Sequence, residues 1–246
     1  SPDSGEYPLI LLQSLEEKAS KGDPLAHYAL ALLFKNDDED SSQETGGDYW
    51  YSQEQQGRVL TGVEKEWADE HARHLEKSEK HAFHLREAGR LGNSSALLEL
   101  AALSHDASYF DAAKASGITD EPISVAELAV SLGREEDAEY WLTVAAEAGD
   151  TDAMRRLIDN FDRGDVERSW MWFYLAKMLG SDLKKSHLQA FHEGGNHADE
   201  IYDDDVGGPI YVAGNEEVEL KPLEEEGKRE ARKRADVIFQ RIQQTT

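Results

Sequence analysis

The chain has 246 residues, with 51 Asp or Glu against 26 Lys or Arg, a formal charge of −25, and no cysteine. Such a charge repels phosphate, so non-specific nucleic-acid binding is excluded as a default and docking on an anionic lipid surface is disfavoured; solubility or a basic protein partner fits better. No cysteine means no disulfide and no thiolate chemistry, and no apolar run reaches the roughly 18 residues that a membrane span needs.

The opening SPDSGEYP lacks methionine and reads in two ways, as a cut end or as the start of a processed, exported protein with a lipid anchor upstream of Ser1. Residues 7–21 and 24–35 read as a first helical pair, with Pro24 suited to a first helical turn. Residues 36–62 break the pattern with acids, serines and glycines, and read as a loop insertion long enough to be functional or disordered rather than a plain connection. Within it, Tyr49, Trp50 and Tyr51 sit where no core periodicity requires aromatics. They are candidate partner contacts, the alternative being that Trp50 tucks back to anchor the loop.

A long polar helix is expected over 63–90, then helices over 93–104, 107–116, 122–133, 135–148, 151–162, 166–179 and 182–193. Residues 194–222 form an acidic, glycine-rich loop, with PIYV and VEL as the arms of a small hairpin. Its Asp203, Asp204 and Asp205 are candidate contacts for a basic partner. A final helix over 223–243 carries Ala231, Ala235, Ile238, Phe239 and Ile242 on one stripe, and reads as a capping helix. Its basic face, Lys228 to Arg234, either lies against acidic neighbours or stays solvated.

One pattern recurs inside the 63–193 stretch and in the first pair. Gly22, Gly92, Gly149 and Gly180 are each followed eight residues later by leucine: Leu30, Leu100, Leu157 and Leu188. Alanine stands four residues after three of these glycines (Ala26, Ala96, Ala153) and four before three (Ala88, Ala145, Ala176). Leu15, Leu85, Leu142 and Phe173 stand seven before, and TDEPISVAEL is a degenerate fifth copy with Asp120 in the glycine place. The glycine ends one helix, the small residues, Ala146 among them, let two backbones approach, and leucine fills the layer between. A single pair cannot bury its apolar face alone, so pairs must stack. The whole of 1–246 therefore reads as one all-α domain, an α-solenoid of stacked antiparallel helix pairs with two loop insertions and a C-terminal capping helix.

AEYWLTVAAEAGDTDAMRRL and SWMWFYLAKMLG resemble the Sel1-like repeat, a relative of the tetratricopeptide repeat. Trp141, Ala145, Ala146, Glu147, Gly149, Ala153 and Leu157 match one unit; Trp172, Leu175, Ala176 and Gly180 match the next. The glycine that usually follows the second leucine is replaced by Ala31, Ala101, Ile158 and Gln189.

Histidines 71, 74, 81 and 84 lie on the long polar helix in pairs three apart. A metal is geometrically conceivable there, but the zincin spacing and a third ligand are missing, so an exposed polar face is the reading and no metal is assigned. The acids of 199–205 lack the EF-hand spacing. With no G-x-S-x-G and no phosphate loop, no catalytic residue and no cofactor is assigned. The expectation is a non-enzymatic protein-binding repeat protein. The resemblance implies more: a periplasmic or envelope-associated immunity lipoprotein that neutralises a secreted antibacterial toxin, of the type VI phospholipase kind, with a basic, lipase-like partner. The alternative it implies is an envelope scaffold for a secretion or polysaccharide complex.

Overall fold

The computed structural model describes residues 6–36, 45–186 and 188–246, with side chains from Leu9 onward. The expectations that fall on residues 1–5 and 37–44 lie outside the described residues. Among the described residues the chain is all-α apart from a two-stranded ribbon. It divides into two units, Ser1–Asp120 and Glu121–Thr246.

The first unit contains α1 (Glu6–Ser20), α2 (Pro24–Leu33), α3 (Gly47–Gln55), α4 (Gly62–Arg90), α5 (Ser94–Ser104) and α6 (Ala107–Ser116). Helix α1 packs on α2, with Ala19, Ala26 and Leu30 buried between Leu12, Leu15 and Phe34. Helix α2 also packs on α4, and α4 on α5, around Ala31, Leu85, Ala88 and Ala96. Gly89 belongs to this close approach: a β-carbon there would stand 2.8 Å from a methyl of Leu100. Leu30 is fully buried, and Leu100 packs partly buried against the same cluster.

The second unit contains α7 (Pro122–Ser131), α8 (Glu135–Glu147), α9 (Thr151–Asn160), α10 (Val166–Met178), β1 (Gln189–His192), β2 (Ile210–Ala213) and α11 (Glu225–Thr245). Successive helices pack pairwise from α7 to α11. Leu142, Ala145 and Ala146 of α8, Met154 and Leu157 of α9, Trp172 and Leu175 of α10, and Ala231 and Ala235 of α11 share one core.

The local cause of the pairing is a turn used repeatedly. At Gly149 the chain takes φ +104, a left-handed conformation that costs glycine little. The Gly149 N–H then donates to Ala146 O at 3.0 Å and the Asp150 N–H to Ala145 O at 3.1 Å, a Schellman motif. Asp150 also begins the next helix: its Oδ1 accepts from the Asp152 and Ala153 N–H groups at 2.9 and 3.1 Å. One residue thus satisfies the end of α8 and the start of α9, and the connection needs no more length. The same backbone bonds recur at Gly22–Asp23, Gly92–Asn93 and Gly180–Ser181, and Asp23 and Asn93 cap the helices that follow. They recur at Gly133–Arg134, where no side chain caps α8. At the degenerate copy, Gly117 rather than Asp120 supplies the positive φ, and Asp120 accepts from the Ser95 hydroxyl at 2.8 Å.

Three local expectations are corrected. The 36–62 insertion, read as loop, contains helix α3, which packs on α4; Lys65 of α4 ties it down through Glu54 at 2.8 Å. The described residues of 182–193 form no helix, and Leu188 is 44 % exposed instead of filling a layer. Four residues after Gly180, where the turns at Gly22, Gly92 and Gly149 have alanine, this one has Lys184. Its ammonium lies 4.1 Å above the Trp170 ring, and Leu183 alone drops into the core. The PIYV arm does pair, but with Gln189–His192. The VEL run is no strand: Val218 is buried in the core and its N–H donates to Leu183 O at 2.9 Å.

Candidate partner-binding surface

Each group of candidate contacts lies within one unit. In the first, helix α3 presents Tyr49, Trp50 and Tyr51 from a short helix rather than from a loop. Tyr51 turns inward and meets the ring of His71 on α4 at 5.2 Å. Tyr49 is 54 % exposed and packs edge-on against Trp50 at 5.1 Å. The Arg58 guanidinium covers the Trp50 ring at 5.0 Å, an arrangement worth about 0.5–1 kcal/mol near solvent. Tyr49 is thus held on a helix with much of its surface outward, beside a half-buried Trp50, and this fixing lowers the entropy lost when a partner covers it.

In the second unit, Asp203, Asp204 and Asp205 are exposed but not loosely tethered. Strand β1 carries β2 on one edge and the 199–202 segment on the other, through Tyr202 N–H to Ala190 O and His192 N–H to Glu200 O, both at 2.9 Å. His192 is buried, and its Nε2 accepts from the Asp203 N–H at 2.9 Å. The Asp205 N–H then donates to the Asp203 carboxylate at 2.9 Å, closing a tight turn. The three acids therefore stand on a pinned corner.

The four helix-borne histidines do not converge. His71 faces Tyr51, whereas His81 and His84 face α2. Among the described residues no group of three or more metal-ligating side chains is assembled.

The basic face of α11 divides its charges. Arg234 reaches Glu167 at 3.2 Å, Lys228 lies 4.8 Å above Trp170, and Arg232 lies 4.8 Å above Tyr174. Lys228 and Arg232 thus cover aromatic rings of α10, while Arg234 pairs with an acid of the same helix.

Asp162 was not singled out by its sequence context. It sits between α9 and α10, only 3 % exposed. Burial raises its carboxyl above the usual carboxylate range, while Arg168 and the Trp172 indole oppose the shift. A nearby cleft of about 260 Å³ is ringed by Asp159, Arg163, Glu219 and Lys221. Two acids face two bases there, so it offers a ligand no net charge. Burial raises Asp159 too, against the opposing pull of Arg155 and Arg163.

Comparison with protein-family profiles, curated proteins and solved structures finds no match for this chain. Its class rests on its own geometry: an all-α protein of packed adjacent helix pairs joined by a repeated turn. No helix among the described residues is long and apolar enough to cross a membrane.

Proposed function

We propose that this is a non-enzymatic protein-binding repeat protein, an α-solenoid of the Sel1-like kind, whose partner is basic. The observation that carries the reading is the aromatic pair Tyr49–Trp50, Tyr49 exposed and Trp50 half-buried, held on α3 in a chain of charge −25. Rigid aromatics are favoured binding anchors, and acidic surroundings steer a cationic partner toward them. The resemblance of residues 138–157 and 169–180 to Sel1-like repeats narrows the proposal to a periplasmic or envelope immunity protein, with a secreted, lipase-like toxin as its target.

The direct experiment is binding of the purified chain to the product of the adjacent gene. A tight complex that suppresses the partner's hydrolytic activity is the expected outcome; no binding discards the immunity reading. Turnover by the chain itself in lipase, protease or muramidase assays, abolished by one point substitution, would overturn the non-enzymatic reading.

A further inference from the structure

The interface between α2 and α4 is a seam of polar contacts inside an apolar layer. His27 Nδ1 and His84 Nδ1 stand 2.9 Å apart. One turn further along α2, Ala31 O accepts from His81 Nδ1 at 2.6 Å, and Asn36 Nδ2 donates to the Ser78 hydroxyl at 2.5 Å and to His74 O at 3.3 Å. His27 is only 6 % exposed, and the His84 ring stacks on Phe34 at 5.9 Å. A hydrogen bond between two ring nitrogens needs one donor and one acceptor, so it exists only while at least one of the two facing nitrogens is unprotonated.

We infer that the His27–His84 pair is a pH-sensitive latch, which holds α2 on α4 at neutral pH and releases it when both rings are protonated. Two imidazolium groups would face each other as donors at hydrogen-bond distance, with His27 buried and His84 half-buried. The charges around the pair come from both packed neighbours: Glu16 of α1, and Lys80 and Glu87 of α4. The two carboxylates favour the charged ring; burial, His27 and Lys80 disfavour it. Burial is the largest influence, and His84 is held below the usual histidine range. A histidine depressed in the folded state makes the unfolded chain the better proton acceptor, so stability falls as pH drops through the ordinary histidine range. Helix α1 packs on α2, so release of α2 frees the first helical pair together.

The test is hydrogen exchange read by mass spectrometry on the full chain at pH 7.5 and 5.5, corrected for the intrinsic rate. Protection of residues 24–33, relative to α8 and α9, should fall between pH 7.5 and 5.5 in the wild type. It should stay constant in His84→Phe and in His27→Gln, which keeps a hydrogen-bonding side chain that does not titrate. Unchanged protection in the wild type, or an equal fall in both variants, overturns the latch. Should the variants fail to fold, NMR of the ring nitrogens in the wild type decides. At neutral pH the facing Nδ1 atoms of His27 and His84 must be one donor and one acceptor. Any other arrangement refutes the pair.

Discussion

Trp172 donates its indole N–H to the Asp162 carboxylate at 2.8 Å, with both side chains buried. The rest of the arrangement holds that carboxylate. The Asp162 carbonyl accepts from the Ser169 hydroxyl at 2.8 Å, and the Arg168 guanidinium stands 3.6 Å from the carboxylate. Arg168 in turn reaches Thr143 and Glu139 of α8, at 3.1 and 3.6 Å. The loop between α9 and α10 is thereby fastened to both helices that flank it in space. Asp162→Ala leaves a buried indole N–H without an acceptor and should cost about 1–3 kcal/mol in chemical denaturation. A wild-type midpoint and slope would show that the bond is dispensable.

The same residue predicts a pH signature. The folded-state carboxyl of Asp162 titrates above its unfolded value, so between those values the folded chain holds the extra proton. Its contribution is then full below the unfolded value and is lost as pH rises through the folded one. The stability of the wild type relative to Asp162→Asn should accordingly be greatest at acid pH and shrink toward neutrality. Denaturation of both proteins from pH 4 to 7 measures it, and a difference that grows with pH contradicts the assignment.

The Gly149–Asp150 turn makes two separable predictions. Asp150→Ala removes the side-chain acceptor from the first turn of α9 and should cost about 0.5–2 kcal/mol, whereas Asp150→Ser should restore most of it. Gly149→Ala forces a β-carbon into a left-handed conformation and should cost about 1–2 kcal/mol through the backbone alone, since the nearest atoms, those of Ile242, would stand 3.7 Å away at ordinary contact distance. Thermal melts that rank Ser below Ala at position 150 would reject the capping account.

Ala146 is fully buried where α8 meets its neighbours. Leucine in its place overfills a layer sized for a methyl group and should destabilise by about 1–3 kcal/mol. If Ala146→Leu melts like the wild type, the spacing does not depend on the small residue.

For binding, two sets of substitutions should separate kinetically. Trp50→Ala removes an anchor and should raise the off-rate, by the amount that about 2 kcal/mol represents, and leave the salt dependence alone. Changing Asp203, Asp204 and Asp205 together to Asn should lower the on-rate and flatten its dependence on salt. Surface plasmon resonance against the neighbouring gene's product, at two salt concentrations, distinguishes them. Tight binding that is indifferent to salt and to both changes moves the contact to another face.

The turn was legible in the sequence because its chemistry is local. A glycine with positive φ, an Asp or Asn that caps at once, and alanines one turn to either side act within about eight residues, and they place the ends of α1, α4 and α8 and the starts of α2, α5 and α9. Lys184 in the alanine position was equally local, but that position alone does not decide the helix: Asp137 stands at the same offset from Gly133, and α8 forms there. The fate of α3 was not legible: an aromatic run after two glycines is compatible with loop or helix, and only packing on α4, with Glu54 on Lys65, selects the helix. Nor was the role of the histidines. Spacings of three place His81 and His84 on one helix face, but their meaning depends on α2, whose His27 is 57 residues away from His84 in the chain. Asp162 is the clearest case of this kind. Nothing nearby in sequence marks one aspartate among so many acids, and its burial arises only when α8, α9 and α10 pack and exclude water from its carboxylate.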